Sequence, residues 1–369
     1  MLGVIIVAIV LVGAAHAADV DRQARFPAES IDALRQTGLL AAVVPTDLGG
    51  PGLGIVALAE VADILAQGCA STAMVWAMHQ IQLACIVGHG LGSPYMTGFV
   101  RRAATEQLLI ASVTSEVGIG GDIRTSLAAV EDDESGCKRL GKHGSTISYG
   151  AHADAFLVTA RRSVDVTGSD QVLVLAQRED VVLEQTGGWD TLGMRGTCSP
   201  PFRIAARLDA RQILSTPFGE ICAQTMMPYS HILWSACWLG IATDAVRRAR
   251  LFVRGRAAVD RRLADAASML HQMRASVSQG ARTYESAGDV GESNLGLAIE
   301  MNNLKLSASE LVTRIVSLSL AICGIAGYVN DGPYSLGRHL RDSYSAASMI
   351  GNERLREANA CMLLLQKGV

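Results

Sequence analysis

The side chains that could do chemistry are few and widely spaced. His231, in MMPYSHILWSACWLG, is an imidazole whose ordinary pKa of ~6.5 suits proton abstraction at neutral pH. Its spacing from Trp234 and Trp238 equally fits a histidine packed on one helix face. Glu353, in RDSYSAASMIGNERLR (residues 341–356), is a carboxylate that could turn inward, although the ERLRE run around it reads as an exposed helix. Ser115 in SVTSEVGIGGD and Ser148 in STISYG set hydroxyls in turn-like surroundings, where serine more often serves the backbone. Arg256, in RGRAAVD, reads by itself as a solvated arginine. The eight cysteines are scattered, with no CxxC pair and no Cys/His cluster at metal-ligand spacing. They fit small buried residues in a reducing, cytoplasmic setting, with no metal site.

Such residues need elements to hold them. The 369-residue chain, 49% hydrophobic and 18% charged, is long and apolar enough for a large core divided among two or three domains. A formal net charge of -3 argues against nucleic-acid binding, and Arg101-Arg102 and Arg247-Arg248 are too short to form a basic footprint. The apolar run LGVIIVAIVLVGAAHA ends in a signal-like AHA but has no Lys or Arg before it, and its 16 residues are short for a membrane span. The expectation is a buried first helix running into HAADVDRQARFP, with Pro27 starting another and no membrane association.

Residues 1–106 then read as helical, including two mostly buried helices over 55–90 broken near Gly68–Ser71. Residues 107–215 change to short β-branched runs between turns: LLIASVTS, STISYGA, AFLVTA, QVLVLAQ and DVVLEQ. Residues 216–369 return to long helical stretches, with apolar stripes such as Leu233, Cys237, Ile241 and Val246.

Seven segments now acquire joint meaning: GLLAAVVPTDLGGPG, SVTSEVGIGGDI, STISYGAHADAFLVTA, GWDTLGMRGT, LGIATDAVRRA, CGIAGYVNDGP and RDSYSAASMIGN. In this order and spacing they resemble the acyl-CoA dehydrogenase family over nearly the whole chain. The resemblance implies an α+β architecture: an N-terminal helical domain, a middle β-barrel domain and a C-terminal four-helix bundle. It also implies FAD bound between domains and across the interface of a homodimer or homotetramer. Ser115 and Ser148 then match flavin-contacting hydroxyls, with Gly121 replacing a usual serine and Thr146 standing where a tryptophan often packs on the flavin. Asn352 falls at a flavin-contacting position. Arg256 matches the arginine of R-x-x-F-G, although Val259 and Asp260 replace Phe and Gly. Gly324 and Gly327 match a cross-subunit loop that would let backbone amides approach the pyrophosphate, although Ala321 and Ile325 replace Gln and Gly. His152 and Asp154 match a structural turn without chemistry of its own.

The departure that matters is the base. Desaturation of an acyl thioester, on CoA or on an acyl carrier protein, needs a carboxylate to take the α-proton. The family's usual position holds Ile350 and its alternative position holds Ser230, and neither can serve unaided. His231 and Glu353 are the substitutes within reach. The resemblance therefore implies first an FAD-dependent acyl thioester dehydrogenase with a non-standard base. The alternatives are a flavin monooxygenase of the same fold, which needs no such base, and a non-catalytic or lyase homologue.

Overall fold

The computed structural model describes residues 2–134, 136–256, 259–288 and 295–366. Helices α1 (Leu2–Gln23), α2 (Ala28–Gln36), α3 (Ile55–Gly68), α4 (Ala70–Gly90) and α5 (Pro94–Glu106) come first. Among the described residues seven strands follow: β1 (Ile110–Val113), β2 (Val130–Asp132), β3 (Lys138–Gly144), β4 (Ala155–Arg161), β5 (Gln171–Gln177), β6 (Val181–Gln185) and β7 (Phe202–Leu208). The short α6 (Phe218–Ile221) leads through a π-helical turn, Cys222–Met226, into α7 (Met227–Gly255), α8 (Arg261–Ala287) and α9 (Leu295–Cys323). Three short helices, α10 (Ile325–Tyr328), α11 (Gly337–Ser343) and α12 (Ser345–Ser348), precede α13 (Asn352–Leu365).

In α1 the residues Ile6, Ile9, Ala17 and Val20 are buried, while Val4, Val7 and Leu11 point outward. The helix packs on α3, and its far end is fastened by Arg195 Nε, which donates to the Asp21 carbonyl at 2.8 Å, and by Arg341 Nη1, which donates to the Asp21 carboxylate at 2.9 Å. Among the described residues, three helices are long and apolar enough to cross a membrane: Gly3–Gln23, Ala70–Gly90 and Leu295–Cys323; the second of these is 89% buried inside the protein.

The strands form two sheets, β1-β4-β5 and β2-β3-β7-β6, and an Ala129–Arg161 bridge links them. Strands β4 and β5 are buried on both faces and accordingly read as unbroken apolar runs, whereas β7 alternates buried and exposed positions along FRIAARL. STISYGA, expected as a strand, is a turn: Tyr149 takes a left-handed φ of 44° and opens a 3-10 segment at Gly150–His152. The strand lies just before it, in KRLGKHG, whose charged residues mask its alternation.

In the C-terminal part α9 packs on α7, α8 and α13, and α7 also packs on α3, so bundle and N-terminal helices share one core. The LGMRGT loop is held against the segment after α10. Met194 N–H donates to the buried Asp342 carboxylate at 2.6 Å, and a Cβ on Gly193 would lie 2.2 Å from the Arg341 carbonyl oxygen. Only glycine allows that approach.

Candidate active site

The two serine loops of the β region meet. Ser115 Oγ donates to the Thr146 carbonyl at 2.7 Å and accepts from the Thr146 N–H at 3.1 Å. Two residues on, Ser148 accepts from Ser199 Oγ at 2.9 Å. A buried pair fixes this arrangement from behind. The Glu116 carboxylate accepts from Ser126 Oγ at 2.7 Å, Leu127 N–H at 3.1 Å and Ala128 N–H at 2.8 Å, and it lies 3.4 Å from Lys142 Nζ. Lys142 points inward from β3 and donates to the Thr159 carbonyl at 2.8 Å and to its hydroxyl at 2.7 Å. Burial lowers its ammonium to about 8, against the attraction of Glu116. The one acidic residue adjoining Ser115 is thereby turned into the domain, which leaves a rim of hydroxyls and amides.

The C-terminal segment reaches the same place. Arg354 donates to the Gly120 carbonyl at 2.9 Å and to that of Gly121, a residue with φ +79°. Just before it, Ile350 adopts φ +48°, outside the usual range for a β-branched residue. Its carbonyl accepts from Lys305 Nζ at 2.7 Å, and so does Asn352 Oδ1 at 2.7 Å. Asn352 Nδ2 donates to Ser309 Oγ at 3.0 Å. The Asn352 side chain, expected at a flavin-contacting position, is therefore engaged at both ends by α9.

A second cluster forms at the other end of the bundle. Arg256 lies over the Phe252 ring at 4.1 Å, Phe252 meets Tyr334 edge-on at 5.3 Å, and Arg248 donates to the carbonyls of Pro333 at 3.3 Å and Ser335 at 3.2 Å. The end of α7 is thus brought onto the loop after α10. Gly324 has φ +56° with open space around it, while a Cβ on Gly327 would come within 2.7 Å of Cys323 Cβ. Along α9, Lys305 and Gly324 are separated by roughly 28 Å at 1.5 Å per residue.

Models of the N-terminal and C-terminal domains of acyl-CoA dehydrogenases match residues 12–94 and 219–359. The chain belongs to the acyl-CoA dehydrogenase family. It is 28% identical over 352 residues to L-evernosamine nitrososynthase of Micromonospora sp., covering 87% of this chain and 80% of that protein. It is 27% identical over 341 residues to human mitochondrial short-chain specific acyl-CoA dehydrogenase, covering 89% and 80%. The fold is also that of FMN-bound TdsC from Paenibacillus sp. A11-2, with TM-score 0.87 and 19% identity over 99% of this chain and 97% of that one. Butyryl-CoA dehydrogenase from Megasphaera elsdenii gives TM-score 0.83 and 18% identity, with 98% of each chain covered.

For a flavoprotein family member the rim around Ser115, Thr146 and Ser148 is a fitting edge for the cofactor: neutral, rich in hydroxyls and amides, with its carboxylate withdrawn. The structure sets both sequence-derived base candidates in surroundings that do not favour proton abstraction. His231 is fully buried, and its ring nitrogens approach the Met301 backbone without reaching hydrogen-bonding geometry. Burial, and then the neighbouring Lys305 charge, lower it to about 3, so it is a weak base sealed from solvent. Glu353 is 82% exposed and paired with Arg356 on the outer face of α13. Ser230, at the alternative base position, donates its hydroxyl back to the Met226 carbonyl at 2.6 Å.

Sequence reasoning passed over Lys305, Glu116–Lys142 and His89. The partly exposed His89 lies 2.8 Å from Thr225 Oγ1 on the π-helical turn, a geometry that recurs at functional sites. For Lys305 a signal existed, a lone lysine inside the apolar pattern of α9.

Proposed function

We propose that this chain is a flavin-dependent monooxygenase built on the acyl-CoA dehydrogenase fold rather than a desaturase of acyl thioesters. The observation that carries the reading is the absence of an accessible proton acceptor at the desaturase positions: Ile350 is apolar, Ser230 is tied to Met226, His231 is sealed and Glu353 points to solvent. A positioned base contributes about 10²- to 10⁴-fold to a rate, which leaves desaturation here feeble. Bound flavin supplies two-electron chemistry and, once reduced, reactivity with oxygen, which calls for no α-proton acceptor. Ser115, Thr146 and Ser148 would orient it, and Ile350 brings no carboxylate to the position where the desaturases carry their base. The relatives named for nitrososynthase activity and, among the fold matches, for methanesulfinate monooxygenase support the same reading.

The flavin would be FAD, shared between chains of a homodimer or homotetramer: Ser115 and Ser148 of one chain would hold its ring, and Arg256, Gly324 and Gly327 of another its pyrophosphate end. Along α9 roughly 28 Å separates Lys305, beside the 350–352 turn, from Gly324, which supports the division. Altered residues around Arg256 fit a cofactor that exchanges.

The test is spectroscopic. Protein loaded with FAD or FMN should keep its flavin absorbance when mixed anaerobically with butyryl-CoA and longer acyl thioesters. Its chemically reduced form should consume oxygen on admission of air. Bleaching by an acyl thioester would return the enzyme to the desaturases, and a protein that takes up neither flavin would sink both readings.

A further inference from the structure

Lys305 belongs to no step of either reaction, yet its setting is unusual for a lysine. The side chain is 0% exposed, and among the described residues no carboxylate pairs with it. Buried lysines ordinarily have such a partner. Here the amine donates to the Ile350 carbonyl and to Asn352 Oδ1, each at 2.7 Å, and stands 5.9 Å from the centre of the Trp238 ring. A carbonyl, an amide and an aromatic face thus take the place of a counter-charge.

What the amine pulls on is a strained turn. Ile350 is held at φ +48°, a conformation that a β-branched residue keeps only when its surroundings impose it. One helical turn along α9 from Lys305, Ser309 takes the other end of the Asn352 amide at 3.0 Å. Two residues after Asn352, Arg354 grips the carbonyls of Gly120 and Gly121 on the Ser115 loop. Contacts therefore run without a gap from α9 through the 350–352 turn to the loop that would meet the flavin ring.

We propose that Lys305 is a positioning residue of the flavin site: by drawing the Ile350 carbonyl and the Asn352 side chain into the bundle, it sets the turn that carries α13 to the Gly120–Gly121 loop. The assignment rests on the flavin reading above for its consequence and on the bundle geometry for its cause. Burial, and next the charge of Arg356, lower the amine to about 8, so above that pH its bonds to the turn lose their charge assistance. The groups facing it are His231 from α7, which stays neutral, and Arg356 from α13, which is paired with Glu310 and Glu353.

Hydrogen exchange on the cofactor-free protein reads the turn directly. In Lys305→Met, peptides covering residues 345–356 should exchange about 10- to 100-fold faster than in the wild type, the effect of losing hydrogen bonds from a charged donor, with α3 and β4 unchanged. FMN or FAD, followed by quenching of protein fluorescence, should bind about tenfold more weakly. Ile350→Gly accepts the left-handed turn without strain and should bring the Lys305→Met affinity back to within about threefold. Unchanged exchange over 345–356 overturns the proposal. So does an affinity loss that Ile350→Gly leaves untouched, since that marks a general packing defect.

If Lys305→Met does not fold, Asn352→Asp decides. Its carboxylate should raise the Lys305 pKa and move the alkaline onset of faster 345–356 exchange, corrected for intrinsic rates, upward from about pH 8 by about one unit or more. An onset that stays in place overturns the proposal. Wild-type protein that binds no flavin marks the failure of the cofactor reading, and the exchange comparison still decides what Lys305 does for the turn.

Discussion

Ile350 is the residue on which the reading of this protein turns, and it can be tested by restoring what it replaces. Ile350→Glu would return a carboxylate to the family's position, on the residue whose carbonyl the buried Lys305 amine already bonds. The variant should gain acyl-thioester-dependent flavin bleaching by at least about tenfold, within the range a positioned base supplies. No gain in stopped-flow absorbance would show that substrate, and not only the base, differs from that of the desaturases. His231 gives the converse prediction. Its folded pKa, about 3, lies below the unfolded value of ~6.5, so between these the unfolded state binds more protons and stability falls as the pH drops through that window. Denaturant midpoints followed from pH 7 to pH 4 should decline less in His231→Phe than in the wild type, while oxygen consumption by the reduced, flavin-loaded protein stays within about twofold. A collapse of that activity in His231→Phe would reinstate the histidine as a catalytic group.

Among the elements, the Ser115 loop depends on a pair that neither β1 nor β3 contains alone. Glu116 is satisfied by three donors from Ser126, Leu127 and Ala128 and by Lys142 across the domain. Removing one partner leaves the other buried and unmatched, so Lys142→Met should cost about 3–5 kcal/mol in chemical denaturation. Combining it with Glu116→Gln should recover part of that loss. Additive losses would mean that the two groups act independently. Strand β3 also shows why local reading failed there: KRLGKHG buries Leu140 and the polar Lys142, so alternation of burial is real while alternation of hydrophobicity is absent.

For the whole molecule, the division of the cofactor between chains makes assembly a requirement of the FAD reading. The Gly324 turn displays Ile325 at 73% and Tyr328 at 71% exposure, a pairing of large apolar groups that fits a subunit contact. Light scattering should give at least a dimer for the FAD-bound protein. Arg256→Ala should weaken FAD by about tenfold while leaving FMN, which lacks the adenylate end, within about twofold. Equal losses for both flavins, or a monomer that retains FAD, would remove Arg256 from the cofactor.

The order of elements, the family and the missing carboxylate at Ile350 and Ser230 were all legible in the sequence, because periodicity, turn residues and spaced motifs are properties of neighbouring positions. What the candidate groups do was decided by packing. His231 and Glu353 look equally available in one dimension; the fold seals the first between α7 and α9 and turns the second to solvent beside Arg356. Asn352 is bonded by Lys305, a residue 47 positions earlier in the chain. Glu116, in the loop after β1, is paired with Lys142 from β3. Burial and charge pairing between distant segments fix a group's proton affinity and its access to substrate, and only the tertiary structure brings those segments together.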